Sequence, residues 1–285
     1  MSEIKVEELS FSHGKNTPYE ITALDNVSFS IPKGSITGII GHTGSGKSTL
    51  VQMFNGILRP EHGRVLLNGE DIWAKPKKIR NVRFKVGLVM QYPEYQLFEE
   101  TVEKDIAFGP KNMGLSDEEI KERVLEAASF AELDRDLLEK SPFDLSGGQK
   151  RRAAIAGVIA MRPDVLVLDE PAAGLDPRGR SSIFENIVNY HKTSGRTVVI
   201  VSHSMEDMAR YCDNLIVMND GRICMQGDAD HIFSQSNTLS AIGLDIPQIT
   251  KLMLLLKKNG IPVDPGVYTV EQALHSMLQI YEKEK

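Results

Sequence analysis

"GSITGIIGHTGSGKSTLVQMFNGIL", residues 34–58, changes character halfway along. "GSITGII" reads as a short buried strand, and the apolar residues after the glycines recur at helical spacing. Between them, "GHTGSGKS", Gly41 to Ser48, matches G-x-x-x-x-G-K-[ST]. That pattern carries meaning only between a strand and a helix, which is where it lies. Its glycines permit a tight loop whose N–H groups wrap phosphate oxygens. The expected cradle is Gly41, His42, Thr43, Gly44, Ser45, Gly46, Lys47, Ser48 and Thr49. Lys47 would reach the β- and γ-phosphates of a nucleotide, and Ser48 would ligate Mg²⁺. A glycine-rich turn with no ligand is the bland alternative, and the flanking strand and helix argue against it.

A loop of this kind needs acids beside it. "VLVLDE", Val165 to Glu170, supplies them at the end of a continuous apolar run, the mark of a strand buried on both faces. Asp169 would hold Mg²⁺, and Glu170 would accept a proton from attacking water. Two further strand ends offer polar groups: Gln91 after "VGLVM" and His203 after "RTVVIVS". In a parallel sheet such ends gather on the ligand side. Gln91 would ligate Mg²⁺ or position water, and His203 would sense the γ-phosphate.

Elsewhere "IKVEELSF" and "ALDNVSFSI" alternate as exposed strands do, and "GRVLLNGEDI" reads as an edge strand with an Asn68-Gly69 turn. "NLIVMNDGRICMQGD" reads as a hairpin turning at residues 219–221. Ser116 with Glu119 is a capping box opening a helix. The expected architecture is α/β: a mostly parallel sheet flanked by helices, a small antiparallel β subdomain, a helical insertion at about 116–162, and a helical appendage at 229–285.

Composition narrows the function. The chain has 285 residues, 25% charged and 41% hydrophobic, as ordinary globular proteins do. A formal net charge of −6 argues against nucleic acid as the main partner. Cys212 and Cys224 form no CxxC pair, so a zinc site or disulfide framework is not expected. The N-terminus has no apolar signal-peptide run, and no stretch reaches the ~20 apolar residues that span a bilayer. A membrane role would have to work through a partner.

A second anion site is legible in "DLSGGQKRRAAIAG", residues 144–157. Ser146, Gly147, Gly148 and Gln149 would open a helix, whose first N–H groups lack intrahelical partners and attract anions. Lys150, Arg151 and Arg152 crowd the same turn, which makes sense if an anion docks there.

"GHTGSGKS", Gln91, "LSGGQ", "VLVLDE", "GLDP" and His203 stand in the order found in ATP-binding cassette (ABC) ATPases, which residues 4–228 resemble. The resemblance implies a Walker A loop at Gly41–Ser48, a Q-loop at Gln91 and a signature at Leu145–Gln149. It implies Walker B and the catalytic base at Asp169 and Glu170, a D-loop at Gly174–Asp176, and a switch histidine at His203. "QYPEYQLFEETVEKDIAFGPKN" and "VSHSMEDMA" are similar to the ATPases of energy-coupling-factor importers for cobalt and vitamins, nearer the second ATPase of the heterodimeric group.

That branch implies a second ATP-binding subunit, homo- or heterodimeric with the latter favoured. It also implies a transmembrane coupling subunit, exchangeable membrane substrate-binding subunits and a place on the cytoplasmic membrane face. Signature and P-loop would meet across a head-to-tail pair. Two departures stand out. The aromatic that stacks on adenine is replaced by His13, with Tyr19 as the other candidate, and Ala172 stands where a hydroxyl residue is common. Soluble ABC proteins of repair carry a long coiled coil and those of translation two cassettes, and this chain has neither. "QYPEYQLF" disfavours an exporter. The appendage has no readable motif, and an extra dimer contact or a cover for the core is the plain expectation.

Overall fold

A computed structural model describes residues 2–283, with side chains from 3 to 281. In chain order the strands are β1 (Ser2–His13), β2 (Ile21–Pro32), β3 (Ile36–Ile40), β4 (His62–Leu67), β5 (Glu70–Asp71), β6 (Val86–Val89), β7 (Val165–Asp169), β8 (Thr197–Val201), β9 (Asn214–Asn219) and β10 (Arg222–Asp228). The helices are α1 (Lys47–Phe54), α2 (Ile79–Lys85), α3 (Val102–Asn112), α4 (Asp117–Phe130), α5 (Gly147–Ile159), α6 (Pro177–Ser194), α7 (Met205–Tyr211), α8 (Ala229–Ser234), α9 (Ser236–Ala241), α10 (Gln248–Lys258) and α11 (Val270–Lys283).

The central sheet runs β10-β9-β3-β8-β7-β6, parallel except for β10. Every residue of β3, β7 and β8 is buried, because helices cover one face and a second sheet the other. Ile39, Val167 and Val199 pack toward the antiparallel sheet β2-β1-β4-β5 and α1. Their neighbours Ile40, Leu168 and Ile200 face the helical side, where α3 to α6 lie. Period-two alternation along each strand thus supplies two cores from one sheet.

The sequence reading needs two corrections here. β4 is an inner strand, since the two-residue β5 folds back on it through Asn68 (φ 51°) and Gly69 (φ 85°) and forms the edge itself. A very short edge strand of this kind limits edge-to-edge pairing. The helical layer also begins before Ser116: α3 shares the core of α4 and α5 through Val102 and Ile106. Pro110 and Gly109 in "AFGPKN" hide that helix from a pattern reading, yet Thr101 caps it, accepting from the Lys104 N–H. The capping box at α4 is formed, with Ser116 and Glu119 exchanging both bonds.

After β10, α8 and α9 pack Ile232, Phe233 and Leu239 into the main core. α10 and α11 instead build a small cluster around Met253, Val263, Val267 and Ala273. Leu274, Met277 and Leu278 on α11 are exposed.

Candidate functional site

The carboxyl ends of β3, β6, β7 and β8 lie along one rim of the sheet, so Gly41, Gln91, Asp169 and His203 are delivered to the same side. The loop Gly41–Gly46 is held by close approach. A Cβ on Gly41 would stand 2.4 Å from the Met218 carbonyl oxygen, and one on Gly46 2.3 Å from that of Ala23. Gly46 also has φ 98°, which starts α1 from a left-handed residue. His42 braces the loop from outside, its Nε2 lying 2.9 Å from Asn219 Oδ1.

Inside the loop, the Ser45 hydroxyl is fully buried without a hydrogen-bond partner. A buried polar group left unpaired costs roughly 1–3 kcal/mol, and such groups mark places where a ligand completes the bonding. Lys47 is buried and donates to the carbonyl oxygens of Gly41 (2.8 Å) and His42 (2.9 Å). Burial pulls its ammonium below the usual lysine range, against the pull of Glu170 and Asp169. A cation short of solvation beside an unpaired hydroxyl fits an incoming phosphate.

Asp169 is 5% exposed. Burial raises its carboxyl above the usual range, opposed by a hydrogen bond from Ser48, while the Glu170 charge adds to the rise and Lys47 opposes it. Ser48 and Asp169 are therefore neighbours. A hydroxyl and a carboxylate side by side form the hard-oxygen donor set that suits Mg²⁺.

Glu170 follows with φ 51°, a left-handed backbone that costs a non-glycine residue roughly 1–3 kcal/mol. Its N–H donates to the Val201 carbonyl at 2.9 Å, which locks the turn to the end of β8. The exposed His203 donates from Nδ1 to Glu170 Oε1 at 2.8 Å. One acid beside the Ser48 pair is thus held by the histidine that the sequence assigned to sensing.

His13 reaches the same cluster from the antiparallel sheet. Its Nε2 is 3.1 Å from Thr49 Oγ1, and its ring meets Phe11 edge-on at 5.0 Å. Tyr19 stands in solvent, 83% exposed.

Other assigned residues stay apart from this cluster. Among the described residues, no hydrogen bond ties Gln91, Ser146–Gln149 or Asp176 to the P-loop. Asp176 caps α6, accepting from the Gly179 N–H at 2.8 Å. Ser146 and Gln149 form a capping box at the start of α5. That box satisfies the Gln149 N–H and leaves those of Gly147 and Gly148 as the end's free donors. A Cβ on either glycine would meet nothing within 4 Å, and neither has positive φ.

The basic run after the signature needs correction. Arg151 and Arg152 pair with carboxylates of this chain rather than facing an anion from outside. Arg151, 3% exposed, grips Glu94 with Nε (3.3 Å) and Nη2 (3.1 Å) and donates from Nη1 to the carbonyls of Pro171 and Ala173. Arg152 pairs with Glu132 and Ser182. Arg151 therefore ties the segment behind Gln91 to α5 and to the loop after Glu170. Sequence reasoning missed it, although Glu94 in "QYPEYQ" was the available signal.

Comparison with known proteins agrees with this geometry. The family profile described as ABC transporter matches residues 24–173. The energy-coupling factor transporter ATP-binding protein EcfA2 of Caldanaerobacter subterraneus subsp. tengcongensis is 52% identical, covering 97% of this chain and 96% of its own. Its namesake from Clostridium acetobutylicum is 50% identical over 99% of both chains. The solved cbiO1 of Clostridium perfringens, described as part of the ABC transporter complex cbiONQ, is 41% identical with a TM-score of 0.75 over 88% of this chain and 98% of its own. The cassette MJ0796, solved as a dimer in a post-hydrolysis state with ADP and Pi, is 28% identical with a TM-score of 0.72 over 79% and 98%. With its phosphate loop, acids and histidine assembled on this fold, the chain belongs to the ABC transporter ATPases, in their energy-coupling-factor branch.

Proposed function

We propose that this ATPase works as one half of a composite pair, in which its signature helix closes on the nucleotide held by a second ATP-binding subunit. The observation that carries this reading is the empty surround of Gly147 and Gly148. Glycine in a helix costs about 1 kcal/mol relative to alanine. Nothing in this chain requires it there, so the requirement comes from a surface outside the chain that approaches the backbone N–H groups. A terminal phosphate offered by the partner's P-loop suits a helix end with free donors.

In that pair, Lys47 leaves its loop carbonyls for the β- and γ-phosphates, and Ser45 gains the partner its hydroxyl lacks. Ser48, Asp169 and Gln91 would hold Mg²⁺, which would neutralise phosphate charge. Glu170 takes the proton of the attacking water, and His203 holds that carboxylate in position. His13 supplies the flat surface for adenine, since its ring is anchored beside Thr49 whereas Tyr19 is not.

The relatives' names, ATP-binding proteins of a transporter, support work beside membrane subunits, and we read the pair as a heterodimer on the cytoplasmic face of the cell membrane. A transmembrane coupling subunit and a membrane substrate-binding subunit for a vitamin or metal complete the importer. No described helix is long and apolar enough to cross a membrane. A groove of about 590 Å³, lined by Phe84, Leu97, Phe98, Phe108 and Met161, lies beside the Glu94 segment and suits an apolar helix of the coupling subunit. Arg151 would carry its movement from that segment to α5.

The test uses Glu170→Gln, which should bind ATP without consuming it. Mixed with its partner ATPase and Mg-ATP, it should elute as a dimer. Adding Gly147→Asp should remove the ATP trapped at the partner's P-loop, leave that at this chain's own P-loop, and not lower the melting temperature. Undiminished trapping at the partner's P-loop with Gly147→Asp contradicts the reading.

A further inference from the structure

Residues 72–93 contain six cations and none of the chain's 39 acids. Lys75, Lys77, Lys78, Arg80, Arg83 and Lys85 are all exposed, on α2, on the short 3₁₀ turn Pro76–Lys78 that precedes it and, for Lys75, just before that turn. Among the described residues none of the six makes an ion pair with a carboxylate; Arg59, Arg123, Arg135, Arg178 and Arg210 lack one too, but they are scattered along the chain, whereas these six fall within eleven residues. Arg80 and Arg83 donate to the neutral carbonyls of Asn112 and Gly56, so their charge is not cancelled. Like charges three residues apart on a helix repel. In a chain of net charge −6, this concentration fits an anionic surface outside the chain.

We propose that, in addition to the partner-mediated membrane role expected from the sequence, this face rests directly on the anionic phospholipid headgroups of the membrane. Three observations favour lipid. The patch borders the apolar groove through Arg80 and Arg83, which line both. Lys75, Lys78 and Lys85 line a second cavity of about 460 Å³ together with apolar Leu67, Ile72 and Val82 and with Glu70 and Asp71. Trp73, the only tryptophan, lies under the Arg59 guanidinium at 5.5 Å, and basic residues around an aromatic are the composition that settles at a bilayer interface. The contact would orient the subunit and keep it near its transmembrane partner. Its setting rests on the membrane location proposed above, but its test needs no partner.

The full chain alone is sedimented with phosphatidylcholine vesicles and with phosphatidylcholine vesicles containing phosphatidylglycerol. Binding should need phosphatidylglycerol and vanish at high salt. Each lysine near an anionic surface contributes about fivefold in partitioning. Lys75→Gln, Lys77→Gln and Lys78→Gln together should therefore weaken binding about a hundredfold, with ATP hydrolysis unchanged. The same charge removed from scattered lysines (Lys121→Gln, Lys140→Gln, Lys192→Gln) should matter far less. Nitroxide-labelled headgroups should quench Trp73. Absent binding to phosphatidylglycerol vesicles, equal losses from the two triple variants, or an unquenched Trp73 would each overturn the proposal. So would a clustered variant that binds vesicles normally but fails to assemble with the transmembrane partner, since that assigns the patch to an acidic protein surface.

Discussion

Glu170 shows how chemistry is packed into single residues. Its strained backbone and its bond from His203 fix a carboxylate next to Asp169. General-base assistance contributes about 10²- to 10⁴-fold. Glu170→Gln should therefore lose hydrolysis by about that factor and keep its affinity for ATP, measured by phosphate release and nucleotide titration. Near-normal turnover would remove Glu170 from that role. Asp169 makes a different prediction. Burial raises its carboxyl, so ionisation disfavours the folded chain. That penalty is absent below the ordinary carboxylate range and present once the pH passes the raised folded value. Asp169→Asn should melt higher than the unaltered chain at neutral pH without nucleotide. The difference should shrink as the pH falls through the carboxylate range. A lower melting temperature at neutral pH would contradict this sign.

Among the elements, α5 combines two opposite designs. Its glycine-opened end faces nothing in this chain, and its next turn is anchored by a buried arginine. Gly147→Ala should therefore stabilise the isolated chain by about 0.5–1 kcal/mol, seen in chemical denaturation, while slowing hydrolysis in the assembled pair. Arg151→Met should instead destabilise the isolated chain. It strands Glu94 and two carbonyls, and breaking a buried pair costs about 3–5 kcal/mol. Unchanged stability in Arg151→Met would show that the Glu94 pair holds nothing together. The motif at this helix was legible because glycines, serine and their spacing are local. The job of Arg151 was not, because charge next to a helix start looks alike whether it awaits an anion or a distant Glu94. The inner position of β4 was hidden for a similar reason: only β5, two residues long, takes the edge.

At the scale of the molecule, the central sheet and its rim were readable from apolar runs ending in polar residues, since strands buried on both faces leave an unbroken signature. Which strand ends share hydrogen bonds was not, because Glu170 and His203 meet through β7–β8 pairing. The appendage gave no motif because α10 and α11 pack mainly on each other. The whole account turns on one claim, that a nucleotide is enclosed by the P-loop of one subunit and the signature of the other. The most direct measurement is trapped ATP in two doubly altered pairs with the partner ATPase. Lys47→Ala here with a signature glycine-to-aspartate change in the partner damages one composite site twice, so one intact site should still trap ATP. Lys47→Ala with Gly147→Asp, both in this chain, damages each site once, so trapping should be lost. Equal trapping in the two pairs would contradict the enclosure across subunits.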